Sequence, residues 1–240
     1  MDSERNPYLI PASVIVAGLL IAAAVVYTRP GLKLSSAPSG SENDASFPPV
    51  FVSCLDSGKH RKAVEAATEE GKNLGVNGTP ATFINARMVS GALPFSSFQE
   101  PIEAELAAKN SPLPDALKIR EDDFVLGSRA AKVMAVEYGD FQCPFCGKFF
   151  KTAEQQLKET YLKSGEAAFV WRDFAFLGEE SIRASEAARC AGEQGKFWEY
   201  HDYLFNYIWD NYYSKNISGE NVGAFSDANL KSFAATLGLD

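Results

Sequence analysis

Two cysteines with two residues between them, Cys143-Pro144-Phe145-Cys146, are the strongest chemical signal in the chain. In thiol–disulfide exchange the attacking species is a thiolate, and a second thiol one helical turn away can displace a mixed disulfide formed on the first. The same spacing can also supply half of a zinc site, which needs two further ligands. The remaining candidates, Cys54, Cys190, His60 and His201, are isolated in the sequence. Zinc is therefore the lesser reading, and no metal or cofactor is expected. The four cysteines allow three disulfide connectivities.

For the pair to work, Cys143 must lie at a helix N-terminus, where free N–H groups and the positive end of the helix dipole favour a thiolate. The surrounding sequence fits this. Lys132 to Tyr138 (KVMAVEY) reads as a buried strand, Gly139-Asp140 as a turn, and Phe145 to Leu162 as a helix. Ala168 to Trp171 reads as another strand. Earlier in the chain, residues 59–74 have helical composition, and Gly75 stands where a helix C-cap belongs. Ala81 to Asn85 and Arg87 to Ser90 read as a hairpin, and Phe95 to Ala108 as a helix with Phe98, Ile102 and Leu106 on one face. From Glu180 to Gly238 the pattern is helical, broken near Gly195 and between Asn216 and Gly223. Phe197, His201, Leu204 and Ile208 form an apolar stripe there. His60 and His201 are expected as surface or half-buried side chains. The class is α/β with a large helical insert.

The run Leu9 to Tyr27 is uncharged and almost wholly apolar. As a helix it would measure about 28 Å, close to the thickness of a bilayer core. A retained anchor over residues 1–28 is favoured over a cleaved signal, because the run is long and no A-x-A site follows it. Residues 29–50 are rich in Ser, Pro and Gly and read as a tether. Arg29 and Lys33 against Arg5 weakly favour a cytoplasmic C-terminal domain, whereas the cysteine chemistry favours the extracytoplasmic side. The net charge of -8 gives no footprint for nucleic acid.

Three segments resemble the DsbA-like thiol–disulfide oxidoreductases of the thioredoxin superfamily. They are V-E-Y-x-D-F-x-C-P-x-C at Val136 to Cys146, G-V-x-G-T-P-A-x-F-I-N at Gly75 to Asn85, and C-A-x-x-x-G-K-F-W at Cys190 to Trp198. The resemblance covers residues 51–240 and implies a thioredoxin-like fold. By position it implies a surface nucleophile at Cys143, a buried resolving thiol at Cys146, and a proton-carrying carboxyl at Glu137. It implies a cis-proline at Pro80, with Thr79 offering backbone groups to substrate, and a structural disulfide between Cys54 and Cys190. Its partners would be protein or peptide thiols and disulfides and a redox recycling partner.

The order departs from the family. Thr79-Pro80 precedes Cys143 here, so the C-terminal half (51–109) comes before the N-terminal half (111–240), as in a circular permutation. Lys109 to Asp122 would bridge the old termini as an extended spacer, or the halves would pair between two chains. The hairpin Asn85-Ala86 lacks the expected glycine. The dipeptide Pro144-Phe145 lacks the histidine of the strong oxidants in the family, which leaves a reductase or isomerase as a rival. A binding module that kept the fold without the chemistry is the second rival.

Overall fold

The computed structural model describes residues 47–109 and 112–240. The expected anchor and most of the tether lie outside the described residues. Among the described residues no helix is long and apolar enough to cross a membrane. Helix α1 (Pro49–Ser57) begins two residues inside the expected tether and buries Phe51, Cys54 and Leu55. Helix α2 (Arg61–Asn73) buries Val64, Ala67 and Gly71 on one face. Gly75 follows it with φ +87, its N–H bonded to the Lys72 carbonyl and that of Val76 to Gly71. This closes the helix in the glycine-dependent manner that its sequence suggests.

Strands β1 (Ala81–Ile84) and β2 (Arg87–Ser90) form the expected hairpin. Asn85 takes the place of the missing glycine, with φ 49, a conformation that asparagine tolerates better than other side chains. Its side chain also pins the turn. Oδ1 accepts the Met134 N–H at 2.9 Å, and Nδ2 donates to Glu105 at 2.8 Å. Helix α3 (Ser96–Ala107) buries Phe98 and Ile102 against the sheet.

With β3 at Phe124–Leu126, β4 at Val133–Gly139 and β5 at Ala167–Asp173, the sheet has the order β2-β1-β4-β5-β3. Strand β4 (Val133–Gly139) runs antiparallel to β1 and parallel to β5 (Ala167–Asp173). Every residue of β4 and β5 is buried, because helices cover both faces, which explains their continuous apolar runs. The short edge strand β3 (Phe124–Leu126) has no counterpart in the sequence reading. Three half-buried residues are too few to show an alternation.

Between β4 and β5 runs one continuous helical stretch, α4, over residues 144–162. It is α-helical at Pro144–Phe149, π-helical at Phe150–Glu154, α-helical at Gln155–Leu157 and π-helical again at Lys158–Leu162. The sequence predicts the helix but not its two widened turns. The helical layer comprises α5 (Glu179–Glu193), α6 (Phe197–Asn211) and α7 (Asp227–Thr236), packed with α1 around one aromatic core. The Cys54–Cys190 disulfide joins α1 to α5. The Phe51 N–H bonds the Asp240 carbonyl at 2.7 Å, so the end of the helical layer meets the first turn of α1.

Two expectations need correction. His201 is 0% exposed rather than at the surface or half-buried, because Phe141, Trp171, Trp198 and Phe205 box it in. The expected extended spacer before β3 is interrupted over its described part by a 3-10 turn at Asp115–Leu117. Leu117 is buried, and Arg172 of β5 donates to the carbonyls of Ala116 and Lys118. Arg172 also pairs with Asp123 at 2.9 Å and Glu70 at 3.0 Å, so one buried guanidinium ties α2, the connection and the sheet together. Arg172→Leu should lower unfolding free energy by about 3–5 kcal/mol, because Asp123 would keep a buried charge with only Arg120 near it. Guanidinium denaturation would measure this, and a loss below about 1 kcal/mol would contradict the role.

Candidate active site

The turn after β4 aims Cys143. Gly139 leaves room for the Trp171 ring, which any Cβ there would strike. Asp140 then holds the loop: its carboxylate accepts N–H groups from Gln142 at 2.8 Å, Phe176 at 3.0 Å and Leu177 at 3.1 Å. Gln142 reaches the helical layer through Gly219 and Ser181, and its carbonyl accepts the Tyr213 hydroxyl. Asp140, Gln142 and Tyr213 are supports that sequence reasoning missed. Asp140 stands inside the D-F-x-C run and bonds Gln142 locally, but each of the three also has partners in distant segments.

Cys143 is the N-cap of α4, with φ -75 and ψ 121, and Pro144 occupies the first helical turn, where its missing N–H costs nothing. The Cys143 thiol lies 3.4 Å from the Thr79 carbonyl. The Thr79–Pro80 bond is cis, and the Pro80 carbonyl accepts the Gly91 N–H at 2.8 Å. Pairing of Ala81 with Tyr138 brings this segment to the end of β4. Cys143 is 4% exposed, so it is more covered than a surface nucleophile, while Phe145 beside it is 61% exposed. A cleft of about 460 Å³ opens next to Phe145, lined by Lys148, Trp209, Tyr213 and Ile217.

Electrostatics separates the two thiols. Hydrogen bonding from Cys146 lowers the Cys143 thiol from 9.0 to about 7 against the opposing effect of burial, and Thr79 and the N–H groups of Cys146 and Phe145 add to it. Burial pushes the Cys146 thiol well up, and its bond to Cys143 pushes the same way. Cys146 is 0% exposed. Glu137 lies in β4 opposite Thr82 and Trp171, is 1% exposed, and its Oε2 has no partner among the described residues. Burial, then the neighbouring Glu154, raise its carboxyl well above the ordinary range.

Cys143, Cys146, Glu137, Thr79 and Pro80 thus share one end of the sheet within a single chain. Cys54 and Cys190 lie elsewhere, bonded to each other between α1 and α5. Among the described residues two clusters have the side chains to offer metal ligands. Cys54, His60 and Cys190 lie together, but both sulfurs are committed to the disulfide. Glu154, His201 and Asp202 also lie together, but the Lys158 ammonium already sits 2.7 Å from Glu154 and 3.4 Å from Asp202.

Two family models match the chain: "DSBA-like thioredoxin domain" over residues 47–103 and "Thioredoxin" over residues 120–236. A Rickettsia bellii protein named for protein-disulfide oxidoreductase activity is 34% identical over 106 residues, which is 44% of this chain and 40% of that protein. The Na(+)/H(+) antiporter NhaA 1 of Salinispora arenicola is 36% identical over 120 residues, 49% of this chain and 16% of the antiporter. The chain therefore spans well under half the length of these curated relatives. The crystal structure of Wolbachia pipientis alpha-DsbA1 aligns with 23% identity and a TM-score of 0.42, over 52% of this chain and 58% of that one.

The thiol asymmetry has a direct readout. The thiolate fraction of Cys143 grows as pH rises through about 7, so iodoacetamide labelling of the reduced chain should show a midpoint there. Cys146 should stay unlabelled through pH 9. Mass mapping across a pH series checks both, and equal labelling of the two cysteines would contradict the asymmetry.

Proposed function

We propose that the chain is a thiol–disulfide oxidoreductase of the DsbA-like thioredoxin family, acting on protein or peptide substrates through Cys143 and Cys146, a reading that the two family models support. The observation that carries this is a mildly acidic thiol at the head of α4, 3.4 Å from the Thr79 carbonyl, with a second thiol buried behind it. In the oxidising direction a substrate thiolate attacks the Cys143 sulfur of the closed pair, and Cys146 leaves as thiolate. A second substrate thiolate then displaces Cys143, which leaves the substrate disulfide-bonded and the site as a dithiol. In reverse, Cys143 attacks a substrate disulfide, and Cys146 resolves the mixed disulfide by attacking Cys143. The substrate segment would lie along Thr79-Pro80 as an added strand. Glu137 would take the Cys146 proton as that thiol becomes nucleophilic and return it in the other direction.

The same reading covers chain order and place. The pairing of β1 with β4, and the contact of Asp240 with Phe51, support a circularly permuted domain in which 51–109 precedes 111–240. The Cys54–Cys190 disulfide supports an oxidising compartment. Together with the apolar run at 9–27 it favours a domain tethered on the extracytoplasmic face, served by a redox recycling partner. A reductase or isomerase is the second reading. It is supported by the Cys143 thiol, which is lowered only to about 7, so that its thiolate favours the dithiol form only modestly.

Cys146→Ser, reduced at Cys143, should accumulate a stable mixed disulfide at Cys143 with a disulfide-bonded test protein or with glutathione disulfide, the other thiol of that disulfide leaving, and Cys143→Ser should form none. Mass spectrometry of the full chain in detergent would detect the adduct, and trapping at Cys146 instead would reverse the assignment. Glu137→Gln should slow resolution by about a hundredfold at pH 7. Stopped-flow measurement across pH 5–8 checks this, and an unchanged rate would reduce Glu137 to a scaffold residue.

A further inference from the structure

The loop that carries Thr79 to Cys143 holds the one Asn-Gly pair of the chain, Asn77-Gly78. An asparagine followed by glycine is open to attack on its own side chain, because no Cβ shields the next backbone nitrogen. The loop is fastened at both ends and free between them. The Val76 N–H bonds the Gly71 carbonyl at 2.9 Å, and the Pro80 carbonyl accepts the Gly91 N–H at 2.8 Å. Asn77 is exposed, and among the described residues neither its side chain nor the Gly78 N–H has a hydrogen-bond partner.

Neither room nor backbone shape calls for glycine at position 78. A Cβ added there would meet nothing within 4 Å, and the φ lies outside the left-handed region. Gly75, three residues earlier, differs in having a φ of +87 that favours glycine. Three other asparagines show the contrast with Asn77. Asn85 is 1% exposed, with both ends of its side chain bonded. The exposed Asn216 and Asn221 precede the β-branched Ile217 and Val222, which crowd the nitrogen that would attack.

We propose that Asn77-Gly78 is a self-modification site whose conversion slows Cys143–Cys146 exchange as the protein ages, the effect on exchange resting on the reading given above. The Gly78 nitrogen gives its proton to hydroxide and bonds the side-chain carbonyl carbon of Asn77. The bond from that carbon to the side-chain nitrogen breaks, and ammonia leaves. Water then opens the resulting succinimide ring at either carbonyl, leaving aspartate or isoaspartate at position 77. One water is consumed, one ammonia is released, and nothing is oxidised or reduced. Either product sets a carboxylate two residues from Thr79, whose carbonyl lies 3.4 Å from the Cys143 thiol. A carboxylate disfavours a thiolate near it. Isoaspartate also adds one backbone atom, about 1.5 Å of chain, between Val76 and Thr79. The segment proposed to receive the substrate strand is thereby displaced against the Cys143 sulfur.

The test ages the full chain in detergent at several pH values. Peptide mapping follows aspartate and isoaspartate at position 77, and glutathione disulfide is the probe for the rate at which the reduced Cys143–Cys146 pair closes. Asn77 should convert ahead of the other asparagines, faster as pH rises, and the converted chain should close its pair about tenfold more slowly. Gly78→Ala and Asn77→Gln should suppress the conversion and keep their starting rate through the same incubation. An Asn77 that stays intact while other asparagines convert, or a converted chain that closes its pair at the starting rate, would overturn the proposal. If the variants do not fold, the unaltered chain decides. A rate that falls in step with the converted fraction supports the site, and a fall that precedes conversion overturns it. A fresh chain whose pair glutathione disulfide never closes would overturn the exchange reading, and the proposed effect on exchange with it, while the mapping reads the conversion separately.

Discussion

Everything at the active site depends on the antiparallel pairing of β1 with β4. Four residue pairs, from Ala81 opposite Tyr138 to Ile84 opposite Ala135, bring together segments more than fifty positions apart. This pairing sets the Thr79 carbonyl against the Cys143 sulfur and puts Thr82 across from Glu137. Asn85 locks the far end of the same pairing through the Met134 N–H. A shift by one residue would turn every side chain of β1 to the other face of the sheet. The thiols would then lose the strand that faces them, whatever happened to the helix that carries them.

Burial then does opposite things to two neighbouring cysteines. Cys143 sits at the mouth of α4 among N–H and S–H donors, so its thiolate is favoured although little of it meets water. Cys146, one turn deeper, is fully buried, and both burial and its hydrogen bond with Cys143 push its thiol up. The carboxyl of Glu137 is held well above the ordinary carboxylate range by the same lack of water. The helical layer contributes by sealing this volume. Its aromatic core reaches from α1 through α5, α6 and α7 to Phe141 and Trp171 at the site, and the Cys54–Cys190 disulfide staples two of its helices.

Much of this arrangement was legible in the sequence because it is local. The C-x-x-C pair before a helix, the strand run at 132–138, the hairpin and the glycine after α2 all announce themselves through spacing and turn chemistry. The Cys54–Cys190 pair and the facing proline came through family resemblance, since no local signal links residues so far apart. What stayed hidden has physical reasons. The π-helical turns of α4 come from packing rather than from any residue pattern. Strand β3 is too short to show a period. His201 lies in an apolar stripe, which predicts burial, yet a lone histidine gives no sign that an aromatic box will enclose it. The role of Arg172 depends on four segments meeting, and nothing in a single stretch of sequence reveals that.

The central claim is that one chain holds a complete redox pair with a separate structural disulfide. Equilibrating the full chain in graded glutathione buffers, followed by alkylation, mass mapping and size determination, tests it most directly. The account predicts that Cys143–Cys146 opens and closes as one two-electron couple in a monomer while Cys54–Cys190 stays closed. A chain cross-linked to a second copy through Cys54 and Cys190, or a Cys143–Cys146 pair that never closes, would contradict it.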